Sequence, residues 1–261
     1  MNSSVATPLD VKLMNTTAVV LFMAFAGLAM VAAARWVSRL PVFDLQGISV
    51  TGDMNHNNPL TLRANVAPGL NGTFFTVDLA RVRSAFEAVP WVRHAVVRRE
   101  FPNRLRVDLQ EHQAVAYWGA DPELRLINNY GEVFEANVGE VEQEALPRLN
   151  GPEGQSAEVL ALYRVLAPQF DKMELPLEQL ELTGRGSWRA RLESGAVLEL
   201  GRGHADEVNA RVDRFLKTLT QVTTRYARPL TAVESADLRH ENGYAIRLRG
   251  VTTLAADAPK K

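Results

Sequence analysis

Residues 85–112 read AFEAVPWVRHAVVRREFPNRLRVDLQEH, and this stretch sets the fold class of the chain. Pro90 stops a helical pattern in which Leu79, Val82, Ala85, Phe86 and Val89 share one face. Trp91–Phe101 then reads as a strand, Pro102-Asn103 as a turn and Arg104–Glu111 as a second strand. In that second strand Leu105, Val107 and Leu109 alternate with Arg104, Arg106, Asp108 and Gln110. Strict alternation means one buried and one wet face, as in an antiparallel hairpin lying on a core.

Working upstream, Thr76 or Asp78 is a candidate cap for the helix that Pro90 ends. Asn58-Pro59 caps and opens a shorter helix through Val66. Phe43, Leu45, Ile48 and Val50, closed by Thr51-Gly52, form a first strand. Residues 42–112 therefore make a β-α-α-β-β module. Arg93, Arg98, Arg99, Arg104 and Arg106 are read as the solvated face of its sheet, with docking to a partner or to acidic lipid as the alternative. They lack the interleaved aromatics of a nucleic-acid surface.

Further upstream, Leu13–Ala34 carries no charge. Twenty-two helical residues span ~33 Å, the hydrocarbon thickness of a bilayer. Lys12 and Arg35 bracket the run, Trp36 stands at the interface and Pro41 ends the helix. Ala32-Ala33-Ala34 resembles a signal-peptide cleavage site, but the run is longer than a signal's apolar core. We read a single uncleaved transmembrane helix over 13–37, preceded by a short tail, 1–12. Lys12 and the amino terminus stand on one side and Arg35 and Arg39 on the other, which taken alone weakly favours a cytosolic large domain. Long domains, however, translocate largely regardless of flanking charge, so the charges do not set its orientation.

Downstream, 113–254 reads as a mixed domain. Strands are expected at Ala114–Trp118, Leu124–Ile127, Gly131–Phe134, Leu177–Leu182, Trp188–Leu192 and Val197–Leu200. Helices are expected at Ser156–Phe170 and Asp206–Tyr226, and Leu146–Gln155 reads as a loop. Thr231–Leu238 and Tyr244–Leu248 form a terminal hairpin around His240-Glu241-Asn242-Gly243, and 255–261 is a polar, flexible tail. The fold class is α+β: one N-terminal transmembrane helix, the small β-α-α-β-β module, then a β domain with two long helices. A last strand is often a sheet edge able to accept a partner's strand; Arg247 and Arg249 could equally blunt it.

The chemistry of catalysis is missing from the pattern. The 29 basic and 30 acidic residues nearly cancel, which gives no footprint for nucleic acid. Without cysteine there is no thiolate nucleophile, disulfide or thiolate metal site. The five histidines lack ligand spacing, and neither Gly184-Arg185-Gly186 nor Gly201-Arg202-Gly203 continues to a phosphate-cradling loop. No catalytic residue, cofactor, metal or small-molecule substrate is expected.

Four segments carry a family resemblance: FDLQGISVTG (43–52), GTFFTVDL (72–79), AFEAVPWVRHAVVRR (85–99) and FPNRLRVDLQEH (101–112). Together with the upstream helix they resemble the POTRA module of the FtsQ/DivIB family of bacterial cell-division proteins. The resemblance implies a bitopic inner-membrane scaffold at the division septum, with its N-terminus cytoplasmic and its bulk periplasmic. It implies partners FtsB and FtsL, with FtsK, FtsW, FtsI and FtsN as further candidates, and a part in controlling septal peptidoglycan synthesis. DLRHENGYAIRL (237–248) resembles the family's docking hairpin. By position Arg239 would pair with an acidic group of FtsB, and His240, Asn242, Gly243, Tyr244 and Leu248 would line the site. Arg185 is a weaker candidate on the same surface. His240 and Leu248 depart from the tyrosine and tryptophan found in some members. Two other classes remain in play: an accessory of outer-membrane protein assembly, where POTRA modules also occur, and an anchored periplasmic enzyme. The chain lacks the alternating barrel strands of the first and the catalytic constellation of the second.

Overall fold

The structure is a computed structural model that describes residues 9–66, 72–120, 122, 124–141, 146–240 and 243–251. The chain divides into two compact units, Met1–Glu111 and His112–Lys261. The fold class is the α+β arrangement read from the sequence.

In the first unit, α1 (Leu9–Val37) is a 29-residue helix with no buried residue. It opens four residues before the uncharged run and is long and apolar enough to cross a bilayer. Pro41–Phe43 forms a 3-10 turn, and β1 is Gly47–Gly52. The first strand thus starts later than the apolar pattern suggests. Pro41 fixes a turn-compatible φ at its first position, so Phe43 ends that turn and Asp44 makes only an isolated bridge to Thr73.

Helices α2 (Pro59–Val66) and α3 (Leu79–Glu87) follow. Asp78 is the cap of α3, accepting from the amides of Ala80 and Arg81 at 2.9 and 3.2 Å. The amide of Leu60 donates to Asn58 Oδ1 at 2.9 Å at the start of α2. Strands β2 (Val92–Glu100) and β3 (Arg104–Glu111) pair antiparallel, and β1 joins β3 in parallel, giving the order β1-β3-β2. Leu62, Val82, Phe86, Leu105 and Val107 are buried between helices and sheet. Glu111 is buried as well. Its carboxylate accepts from the amides of Asn55, His56 and Asn57 at 2.9, 3.1 and 3.0 Å and from Asn57 Nδ2 at 2.7 Å, so four donors offset its desolvation.

The second unit is built on one nine-stranded sheet. Its strands are β4 (Ala114–Trp118), β5 (Arg125–Asn128), β6 (Val133–Phe134), β7 (Arg148–Asn150), β8 (Leu177–Leu182), β9 (Ser187–Leu192), β10 (Val197–Arg202), β11 (Val233–Asp237) and β12 (Ala245–Leu248). The order is β12-β11-β10-β9-β8-β7-β4-β5-β6. Helices α4 (Ser156–Asp171) and α5 (Ala205–Arg225) pack on each other, α4 also against β7 and β8 and α5 against β10. Trp188, Ala190 and Leu192 of β9 point into this core with Leu166, Phe170 and Phe215. Residues of alternate parity carry the charges, where Arg189 bridges Glu181 at 3.9 Å and Glu199 at 2.8 Å.

One expectation fails here. The stretch Leu146–Gln155 reads as a loop, yet Arg148–Asn150 is a strand paired in parallel with both β4 and β8. A single buried residue, Leu149, flanked by Arg148 and Asn150, is too short a run to show a period.

Candidate docking edge

The terminal hairpin closes one end of the large sheet. β12 pairs antiparallel with β11 in the register Asp237↔Ala245, Ala236↔Ile246 and Ser235↔Arg247, with an irregularity before Val233↔Leu248. Its other side has no neighbouring strand among the described residues. Backbone groups on that side are open to a partner strand.

Arg239 follows β11 by two residues and is held by Asp237. Its amide and Nε donate to Asp237 Oδ1 at 3.0 and 2.9 Å, and Nη2 donates to Oδ2 at 2.5 Å. Hydrogen bonding by the Arg239 side chain lowers the Asp237 carboxyl from its ordinary 3.8 to about 2, and the same pairing raises the guanidinium. The Arg239 side chain is nevertheless 60% exposed. Its stem crosses Gly201, which sits at φ +84 beside the irregularity in β10, and a Cβ there would stand 3.1 Å from Arg239 Cγ. Glycine at 201 is what lets Arg239 lie down across the end of β10.

Arg239 and Arg185 share one groove of about 730 Å³, with Arg189, Arg202, Arg211 and Glu199 also on its wall. Arg211 is tied down, its guanidinium donating to the carbonyls of Leu200 and Arg202 at 2.9 and 2.5 Å. The groove is strongly basic, which suits carboxylates.

The other sequence-derived residues separate into different positions. His240 is exposed, and Asn242 lies outside the described residues. Gly243 is half-buried. Tyr244 is partly buried against Phe215, ring centroids 5.0 Å apart at 84°, and its hydroxyl shares a 2.8 Å hydrogen bond with that of Thr218. Leu248 is only 5% exposed and belongs to the core, so β12 can offer its backbone there but not that side chain. On the edge itself Arg247 pairs with Glu234 at 3.3 Å, and Arg249 donates to the carbonyl of Ser194 at 2.7 Å.

Sequence reading missed Asp237 and Gly201. The first had a usable signal, since an Asp two residues before the end of a strand-to-turn segment commonly accepts from the backbone two positions on. Nothing in the pattern marks Gly201 as the residue beneath Arg239. Among the described residues no group of three His, Cys, Asp or Glu side chains is placed to hold a metal.

Comparison with known proteins bears directly on this architecture. The family model described as "POTRA domain, FtsQ-type" matches residues 43–112, and "Cell division protein FtsQ/DivIB, C-terminal" matches 116–239. Proteins named "Cell division protein FtsQ" match along most of the chain. That of Burkholderia pseudomallei is 40% identical over 254 residues, covering 97% of this chain and 99% of the relative. That of Thiomonas arsenitoxydans is 36% identical over 94% of this chain and 89% of the relative. For Bordetella pertussis the figures are 35% identity and 92% of each chain. With both of its units matched in order behind a single apolar helix, the chain belongs to the FtsQ/DivIB family of cell-division proteins.

Proposed function

We propose that this chain is a scaffold that gathers FtsB and FtsL at the division septum by strand addition to the outer edge of β12. Membership of the family gives the coarser frame: a cell-division protein of the inner membrane, crossing it once, whose partners are other proteins of the division machinery. In this reading the short tail 1–12 is cytoplasmic and α1 anchors the chain. The modules 42–112 and 113–254 work in the periplasm, and 255–261 is a tail. The observation that carries the reading is the outer side of β12, which has no neighbouring strand among the described residues; exposed, preoriented Arg239 lies two strands in from it, across the end of β10.

Backbone pairing along β12 supplies binding that is tolerant of sequence, and side chains beside it set register. Arg239, with Arg185 in the same groove, favours an acidic partner segment. His240, Gly243 and the ring of Tyr244 flank the point where the added strand would enter, and Leu248 contributes through its backbone; Asn242, assigned to the site from sequence, lies outside the described residues. Joining several single-pass proteins on one scaffold raises their local concentration, so modest pairwise affinity suffices. The assembled complex then controls septal peptidoglycan synthesis.

Calorimetry of the full-length chain in lipid nanodiscs against the periplasmic C-terminal segment of the cognate FtsB tests this. Arg239→Glu reverses an exposed charge and is expected to weaken binding by about tenfold to a hundredfold, roughly 1.4 to 2.8 kcal/mol, without unfolding the domain. Unchanged affinity in the folded variant would remove Arg239 from the site, and no binding by the wild type would remove the edge.

A further inference from the structure

We infer that the first unit rests on the bilayer surface through an aromatic patch formed by Phe43, Phe75 and Phe101 together with Val42. This contact lies apart from the docking edge, in a different unit of the chain, and involves lipid where the edge involves protein.

The patch is built by the GTFFT turn and the hairpin tip. Gly72, at φ +118, enters the turn; a Cβ there would lie 3.0 Å from Thr76 Oγ1. The amide of Thr73 donates to Thr76 Oγ1 at 2.9 Å, and the amide of Val77 to the carbonyl of Thr73 at 2.9 Å. Arg99, reaching from β2, donates to the carbonyls of Phe74 and Val77 at 2.7 and 2.9 Å and fixes the turn on the sheet. Arg99 is thus a structural member of the arginine set that the sequence places on a solvated face.

Four rings form a chain across this surface. Phe43 and Phe75 meet edge to face with centroids 4.9 Å apart, Phe75 and Phe74 at 5.2 Å, and Phe74 and Phe101 at 6.4 Å. Phe74 is buried and links the others to the core. Phe75 is 51% exposed, Val42 68% and Phe101 80%. Phe101 is the sharpest case, because a hairpin turn is where polar residues and glycine normally stand. Large apolar side chains clustered on a surface mark an interaction site.

The connection to α1 names the occupant. The Thr73 hydroxyl donates to the carbonyl of Ser38 at 2.6 Å, and the Phe74 amide to the carbonyl of Phe43 at 2.7 Å. Ser38 lies four residues past Ala34, the last residue of the uncharged run, or ~6 Å along the helix axis. The polar layer on each side of the hydrocarbon is roughly 5–8 Å deep. Ser38 therefore sits at headgroup level, and the turn carrying Phe75 is bonded to it. Trp36 and Arg39 flank Ser38 in sequence and Arg104 opens β3 just after the Phe101 turn, residue types suited to an anionic membrane interface.

Because the chain contains no cysteine, single labels can be placed at will. Full-length Phe75→Cys, Phe101→Cys and His94→Cys would each carry an environment-sensitive nitrobenzoxadiazole label. The proteins would be reconstituted in phosphatidylethanolamine–phosphatidylglycerol vesicles, with and without lipid bearing a nitroxide near the headgroup. His94 is exposed on β2, seven residues and ~23 Å along the strand from Phe101. Labels at 75 and 101 are expected to shift to shorter wavelength and lose most of their emission to the nitroxide lipid, while the label at 94 keeps its own. Arg104→Cys, beside the turn, repeats the reading with every phenylalanine in place. Labels at 75, 101 and 104 that remain unquenched would overturn the contact and leave the patch to a protein partner. Equal quenching at 94 would overturn it too, since the membrane would then not be meeting this patch.

Discussion

Strands β7 and β12 of the large sheet have three and four residues, and neither would form alone. β7 lies between two parallel neighbours, β4 and β8, with α4 packed against it. Among the described residues β12 has one neighbour, β11, and an open side. Position decides what so short a strand does. Enclosed on both sides, β7 joins the β4-β5-β6 portion of the sheet to the five strands beyond it; left at the end, β12 has backbone to offer a partner.

The largest test of that contrast is Leu149→Ala. Leu149 is fully buried at the middle of β7. Gly151 just after it leaves no slack, since a Cβ there would stand 3.1 Å from both Trp118 and Val159. A cavity in a site that collapses poorly costs about 3–4 kcal/mol. Native-state hydrogen exchange of the full-length protein in detergent should show amides of β4, β7 and β8 losing protection together. Loss confined to β7 would mean that it is not the joint of the sheet.

Leu248→Ala removes the same atoms from β12. Leu248 is also buried, but at the sheet's end, where half-buried Val251 and solvent can close in. We expect about 2 kcal/mol, read as faster exchange in β11 and β12 with the centre unchanged. A cost equal to that of Leu149→Ala, with exchange accelerated across all nine strands, would show that centre and edge open as one unit and break the distinction.

These two strands also mark how far the sequence could be read. The hairpin at 91–111, helices α3 to α5 and strands β8 to β10 were legible because each holds enough alternating or helically spaced apolar residues to show its period. β12 was legible through its Asn-Gly turn and the Tyr244–Leu248 run. β7 was not: with Pro147 before it and Gly151-Pro152 after it, local chemistry says turn, and only partners on both sides make it a strand. The same limit applies to the candidate site. Family resemblance places Arg239, and Asp237 two residues before it carries a local signal, but Gly201, which lies beneath the Arg239 stem, is visible only once β10 and β11 lie side by side. Leu248 was put at the docking surface by position, whereas a period-two reading from Ile246 would have sent its side chain to one side of the sheet without saying which. Glu111 looks in sequence like one more charge on a strand. Only the fold brings the amides of 55–57 to it.

The smallest effect concerns the pair that orients the edge. Asp237 has its carboxyl lowered from 3.8 to about 2, chiefly by hydrogen bonds from the Arg239 side chain. A depressed carboxylate contributes stability that is complete above its unfolded-state value and is lost as pH falls from about 4 through about 2. Since the pair is largely in water, that contribution is at most about 1 kcal/mol and shrinks with added salt. The difference in hydrogen-exchange protection of β11 between wild type and Asp237→Asn should therefore be constant at neutral pH and vanish toward pH 2. Acid has a sharper consequence than the small loss of stability. Once Asp237 is protonated it accepts less strongly, and Arg239 is free to leave the end of β10. Arg239 would then be released from the end of β10 while Leu149 stayed enclosed at the centre. A β7 that lost protection over the same pH range would tie the orienting pair to the body of the sheet, and the edge would no longer be a separately adjustable part of the fold.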